Sequence, residues 1–383
     1  MTRIERVEIH EYTFDVENMA GDRAYQPGAR LTIGSFGLRI LTDDGLAGEY
    51  CPVHGGKKAI LAQVLAVAPL LIGRDPFRRE ELYDDMKRAL RQHGFLGVGA
   101  LDIGLWDLAG KALNASVSRL LGGYRTSLPT YPSTNHADRA GGLDCPEAFA
   151  DFAERCCGLG YRAFKIHGWN DGDAREEAAN LLHVARQVGD RMDLMIDPAC
   201  ELRTFADALY VGRACDDAGF FWYEDPMRDA GTSQHAHRKL RQMIRTPLLI
   251  GEHVRGVEAK ADWIAAEATD FVRADPDLDL GITGTMKIAH LAESFGLDLE
   301  IHAPGPAHRA CMSAIRNTNY YELALVGPKI RNPAPPVHRC GYSDQLEDSD
   351  GRGCFPVPTG PGLGVVYDWD YIARHSTGVH RFG

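Results

Sequence analysis

"DLMIDP" (193–198), "FFWYEDP" (220–226) and "PLLIGEH" (247–253) are three short apolar runs, each ending on a carboxylate: Asp197, Glu224 and Glu252. The carboxylates stand 27 and 28 residues apart. Apolar runs of this length, rich in β-branched and aromatic residues, predict strands, and the amphipathic segment 204–217 between two of them predicts a helix. The repeating unit is therefore βα. It extends in both directions, through "LPTYPS" (128–133) and "RAFKIH" (162–167) before, and "DFVRAD" (270–275), "LDLEIH" (297–302) and "YYELAL" (320–325) after. Helical segments at 146–158, 174–188 and 284–295 fill other gaps. Eight β runs separated by helices predict a parallel α/β barrel.

The chain ahead of this rhythm reads differently. "LTIGSFGLRILT" (31–42) predicts a strand and "DDG" (43–45) a turn, with a polar loop expected at 15–30. Helices are predicted at 57–73, 76–92 and 99–113, making an α+β unit that ends near "LLGG" (120–123). The tail "TGPGLGVVYDWDYI" (359–372) is expected to pack back on that unit, and "RNPAPPVHRC" (331–340) to be an ordered connection. The organisation expected is an N-terminal α+β unit (1–125), a barrel (126–355) and a returning C-terminal segment (356–383).

A net charge of −11 argues against nucleic acid or an anionic membrane as partner. "MTRIERVEIHEYTF" has no apolar core of a signal peptide, and no run approaches the 18 apolar residues that would span a bilayer. Nine cysteines without a C-x-x-C pair fit reduced thiols, so a cytoplasmic location is expected.

Active groups in such a barrel sit at the C-terminal ends of the strands. The polar residues there are Lys165 and His167, Asp197, Glu224, Glu252, Asp275, His302 and Glu322, at separations of 20 to 32 residues. Asp197, Glu224 and Glu252 lie on neighbouring strands. Three hard oxygen ligands suit Mg²⁺, and without a cation they would repel one another. The alternative is that each carboxylate caps a helix or makes its own salt bridge. Lys165 and His167, two apart on one strand, would face a bound ligand from one flank, with Asp275 and His302 on the other. An Asp accepting from one imidazole nitrogen raises the basicity of the other, which makes His302 a general base. Asp275 as a helix cap and His302 as a core histidine remain open. These parts suit removal of a proton α to a carboxylate, with Glu322, if protonated, donating to the developing enediolate.

These residues resemble the enolase superfamily, in particular its mandelate racemase subgroup. "FKIH", "IDP", "YEDP", "GEH" and "ADPDLDLGITGTMKIAHLAESFGL" are similar to the family's barrel strands, "LRILTDDGLAGEY" and "ALDIGLWDLAGKALNASVSRLLGG" to its capping domain, and "PGLGVVYDWD" to its C-terminal return. The resemblance implies a modified (β/α)7β barrel under an N-terminal α+β cap completed by the C-terminal tail. It further implies Mg²⁺ on Asp197, Glu224 and Glu252, a small carboxylate substrate such as a sugar acid, and cap loops 15–30 and 50–57 closing over it. Two positions depart: the family's second strand-two Lys is His167, and an Asn common two residues after the first metal ligand is Ala199. Tyr25, His54 and Trp169 are placed to line the pocket or to pack loops. His253 faces away if strand alternation is strict and inward if the strand end turns. "HAH" (235–237) is read as a solvated helix face, nothing marks Cys200 as a nucleophile, and Arg255 and Lys57 are expected to be solvent-exposed, with reach to a substrate carboxylate as the alternative.

The reaction expected is dehydration of a sugar acid to a 2-keto-3-deoxy acid. A racemase, epimerase or cycloisomerase would share the first step, and a non-catalytic ligand-binding protein would be expected to lose a metal ligand or the dyad. A homo-oligomer is also expected.

Overall fold

The computed structural model describes residues 2–17, 30–54, 58–229, 231–330 and 334–383. Strands β1 (Ile4–Glu17), β2 (Arg30–Thr42) and β3 (Ala47–Tyr50) form an antiparallel sheet. Period-two alternation sends Phe36, Leu38 and Ile40 of β2 into one core with Val7 and Ile9 of β1, and Tyr12 and Phe14 join them after a register shift between Glu11 and Tyr12 changes the parity. The "DDG" turn joins β2 to β3, with Gly45 at φ +87°. β1 and β2 pair as far as Glu17 with Arg30, so Asp15, Val16, Glu17 and Arg30 are strand rather than loop, while 18–29 lie outside the described residues. Helices Lys58–Val67, Arg79–Ala89 and Val98–Ala112 cover this sheet.

The eight apolar runs form β4 (Ser127–Thr134), β5 (Ala163–His167), β6 (Asp193–Asp197), β7 (Trp222–Glu224), β8 (Leu248–Ile250), β9 (Phe271–Ala274), β10 (Asp298–Ile301) and β11 (Tyr321–Val326). They pair in parallel in the order β10-β9-β8-β7-β6-β5-β4-β11, with a helix in every gap. The helix starts are chemical. Asp173 caps Ala174–Val188, and Thr204 with Asp207 forms a reciprocal capping box on Phe205–Ala218. Between β10 and β11 the ladder is replaced by side chains: the buried Glu300 carboxylate accepts from the Asn319 and Tyr320 backbone N–H groups at 3.1 and 3.3 Å. A short strand, β12 (Cys354–Pro356), runs antiparallel to β4, and β13 (Ser376–Phe382) returns to pair with β1. The C-terminal segment thus completes the capping sheet. No helix among the described residues is long and apolar enough to cross a membrane.

The barrel axis is plugged at its lower end by Tyr131, Ala163, Met195, Trp222 and Leu249. Two residues further along β5, β6 and β7 stand Lys165, Asp197 and Glu224, so strand alternation alone carries the charged groups up from the plug. β8 breaks that rule. Leu249 lies in the plug and Ile250 in the outer core, which would turn residue 252 away from the axis. Gly251 corrects this with φ +137°, and a Cβ there would fall 2.9 Å from the Arg273 carbonyl oxygen.

Cap and barrel meet tightly along helix Val98–Ala112, which is buried on nearly every side. Asp277, in the loop after β9, accepts from the Tyr50 hydroxyl at 2.7 Å and the His54 N–H at 3.0 Å. The same loop backs onto Gly99, where a Cβ would lie 2.2 Å from the Asp277 carbonyl oxygen. Gly99→Ala is therefore expected to force the two bodies apart and to cost about 1–3 kcal/mol, read as a lower urea midpoint. An unchanged midpoint would contradict this account of the interface.

Candidate active site

A cavity of about 800 Å³ opens above the plug, between the barrel mouth and the cap. His136, His167, Asp197, Glu252, His302 and Glu322 form its floor, and Phe14, Ile33, Val53, Leu325, Pro335 and Pro336 form apolar walls.

The trio expected to hold a metal converges. Asp197, Glu224 and Glu252 each present an oxygen, and these lie within 4.8 Å of one another. Their burial is graded: Glu224 is fully enclosed, Asp197 nearly so, and the Glu252 side chain is 24 % exposed to the cavity. Below them sit two cations. Lys165 Nζ lies 2.8 Å from Glu224, 2.9 Å from Glu322 and 3.5 Å from Asp197. Arg273 donates from Nε to Glu224 at 2.7 Å and from Nη2 to the Tyr131 hydroxyl at 3.1 Å, and approaches Glu322 at 3.4 Å. Burial would strip the Lys165 proton, but Glu224 and Glu322 hold its pKa well above the ordinary value, so it is an ammonium.

Glu322, expected to donate if protonated, is held ionised in this arrangement. Burial favours its protonated form, but Lys165 and Arg273 outweigh this and hold it well below the carboxylate range. It accepts instead, taking the Ala303 N–H at 2.9 Å. Lys165 and Arg273 thus balance Glu224 and Glu322. Asp197 and Glu252 keep charge facing the cavity, and this donor set fits a hard divalent cation.

On the β9–β10 flank, His302 Nδ1 donates to Asp275 at 2.7 Å, which leaves Nε2 facing the cavity, 3.6 Å from Glu252. Asp275 is shared. His54 Nε2 reaches the same oxygen at 3.0 Å, and the His54 ring stacks on His302 at 5.4 Å and 4°. His54 therefore lines the cavity and also orders the dyad. On the β5 flank, His167 Nδ1 faces the Thr134 carbonyl at 2.6 Å, so that nitrogen carries a proton, and Nε2 lies 3.1 Å from Asp197.

The other expected contacts divide. His253 sits at the cavity rim, half exposed. Trp169 is in the core, its indole N–H on the Leu143 carbonyl at 2.6 Å and its ring on Phe149, so it does not reach the cavity. Tyr25 and Lys57 lie outside the described residues. "HAH" is not wholly solvated: His237 is buried against Trp263. His136, whose ring lies 3.8 Å from His167, stands beyond the first apolar run, which ends at Ser133, and so has no strand-end signal. Arg273 lies inside an apolar run, two residues before Asp275 and on the same face.

Two family models match the chain: "Enolase C-terminal domain-like" over residues 148–371, and "Mandelate racemase / muconate lactonizing enzyme, N-terminal domain" over 32–122. A D-galactonate dehydratase family member from Streptomyces bingchenggensis is 29 % identical, with 88 % of each chain covered. The D-galactarolactone cycloisomerase of Agrobacterium fabrum is 28 % identical over 88 % of this chain and 90 % of its own. A crystal structure of D-glucarate dehydratase from Agrobacterium tumefaciens, complexed with magnesium, superposes with a TM-score of 0.88 at 28 % identity, covering 98 % of this chain and 99 % of that one.

His302 supplies a pH test. Burial would lower its pKa, but Glu252 and the Asp275 hydrogen bond raise it from 6.5 to about 9. The folded protein then holds this proton more tightly than the unfolded chain. The resulting stability is fully present below about pH 6.5 and is lost as the pH rises through about 9. In metal-free protein, the stability advantage of wild type over His302→Asn should shrink across that window, and the His302 ring resonances should titrate near its upper end. Mg²⁺ bound by Glu252 would remove part of the upward push, so saturating Mg²⁺ should move the titration down.

Proposed function

The chain belongs to the enolase superfamily, in its mandelate racemase/muconate lactonizing group, and on that premise we propose that it is a Mg²⁺-dependent dehydratase of a sugar acid. The observation that carries this reading is the convergence of three carboxylates at one barrel mouth, with the His302–Asp275 pair on one flank and Lys165 with His167 on the other. Relatives whose names specify dehydration of galactonate, xylonate or gluconate support the substrate class.

Asp197, Glu224 and Glu252 would hold the ion. When bound, Mg²⁺ supplies the positive charge against which a carboxylate can accept a second negative charge. The Lys165 ammonium, 2.8 Å from Glu224 and 2.9 Å from Glu322, adds to that charge from below. His302 Nε2 takes the α-proton, while Asp275 keeps the opposite nitrogen protonated and the ring aligned. The electron pair left on the α-carbon passes into the enediolate and then expels the β-hydroxyl. That hydroxyl leaves as water, taking a proton from His302 on the same face or from His167 on the opposite face. The enol that remains tautomerises to a 2-keto-3-deoxy acid.

Acid/base groups on both flanks also accommodate cycloisomerisation, the reaction named for the Agrobacterium fabrum relative. A panel of aldonic acids, aldaric acids and their lactones, incubated with Mg²⁺ in D₂O, separates the two. A semicarbazide-reactive keto acid supports dehydration. Ring-opened or epimerised product carrying solvent deuterium at the α-carbon, without loss of water, supports the isomerase. On the substrate that emerges, His302→Asn should lower kcat by about 10²–10⁴-fold, and chelation should abolish turnover until Mg²⁺ is restored. Full turnover by His302→Asn would overturn the role given to that residue.

A further inference from the structure

The three strands that carry the carboxylate trio also present a second group of ligand atoms. Cys200 follows β6, Asp225 follows β7 and His253 follows β8. A sulfur, a carboxylate oxygen and an imidazole nitrogen from these residues lie within 4.8 Å of one another. His253 Nε2 is 3.8 Å from Asp225 Oδ2, outside hydrogen-bond reach. Ligands at about 2.0–2.3 Å from a tetrahedral Zn²⁺ stand roughly 3.3–3.8 Å apart, so the three need to close only slightly.

Asp225 points to a ligand independently of this grouping. Its side chain is 2 % exposed, and neither carboxylate oxygen has a hydrogen-bond partner among the described residues. A buried carboxylate without partners is costly, and native proteins satisfy such groups with a proton, a water or a cation. The surroundings make this worse, because Asp225 is adjacent in sequence to Glu224 and lies within the field of Asp197 and Glu252. The loops are also fixed in place: the Cys200 N–H donates to the Asp225 carbonyl at 2.8 Å, and Ala199, Cys200 and Asp225 all hold positive φ.

We propose that Cys200, Asp225 and His253 form a second cation site, selective for a borderline-soft divalent ion of the zinc or cobalt kind. The chemistry separates it from its neighbour: three carboxylates select a hard ion, whereas thiolate, imidazole and one carboxylate select a softer one. The half-exposed His253 leaves an approach from the cavity, and three protein ligands leave a fourth position open. On binding, the Cys200 thiol proton passes to solvent and sulfur coordinates as the thiolate.

The test uses the full chain, stripped of metal and then saturated with Mg²⁺. Co²⁺ is titrated in while the thiolate-to-cobalt charge-transfer absorption is followed, and Zn²⁺ is then added as competitor. The expected result is a band that saturates at one equivalent, persists in excess Mg²⁺ and is displaced by Zn²⁺. Cys200→Ser should abolish the band and weaken Zn²⁺ binding at least tenfold. Asp225→Asn and His253→Asn should each weaken binding at least tenfold while keeping the band at saturation. A wild-type protein without the band, or a band unchanged in Cys200→Ser and therefore owed to another thiol, would overturn the proposal. If Cys200→Ser does not fold, the His253→Asn affinity decides: no change in it overturns the site.

Discussion

Carboxylates enclosed in a protein interior stay ionised only where positive charge meets them, and Lys165 and Arg273 provide that charge inside this barrel. Neither cation reaches water, and each is held by the same two partners, Glu224 and Glu322. Removing one member of such a buried set leaves its partners uncompensated, typically at about 3–5 kcal/mol. The arrangement also fixes a gradient. Lys165 and Arg273 balance Glu224 and Glu322 on the enclosed side, while Asp197 and Glu252 meet the cavity. A divalent cation would fit on the cavity side of this set, within reach of Asp197, Glu224 and Glu252 together.

The cavity is built from two bodies with opposite character. The barrel supplies the charged floor through strand ends, most of them hydrogen-bonded to a neighbour on each side, with Glu300 bridging β10 to the segment before β11. The cap and the segment near Pro335 supply apolar walls. Asp277 joins the two, since it holds Tyr50 and the His54 backbone, and His54 in turn shares Asp275 with His302. Movement of the cap loop after β3 is therefore felt at His302 through the shared Asp275.

Much of this was legible in the sequence because both periods in it are simple. Each of the eight apolar runs is a strand, and alternation within them brings Lys165, Asp197 and Glu224 to one side. Residues that obey tertiary charge balance instead of period were less legible. The ionisation of Glu322 depends on Lys165 and on Arg273, and Arg273 sits inside an apolar run and becomes significant only once β7, β9 and β11 are seen to share an interior. Glu252 reaches the axis through the backbone bend at Gly251, which no periodic rule contains. Trp169, two residues beyond an inward-facing histidine, leaves the strand and turns into the helical layer. His136 lies just past the point where the first run loses its apolar character, so its approach to His167 has no signal in spacing.

The pairing of β13 with β1 links chemical groups 369 residues apart, as between His380 and Glu11. During translation at about 5–20 residues per second, one edge of the first strand would wait roughly 20–75 s for its neighbour. Through that interval β1 and β2 would present an open hydrogen-bonding edge, a template for pairing with other nascent chains. Production of this protein is thus most exposed to aggregation early, before its last strand arrives, and slower synthesis would lengthen the hazard.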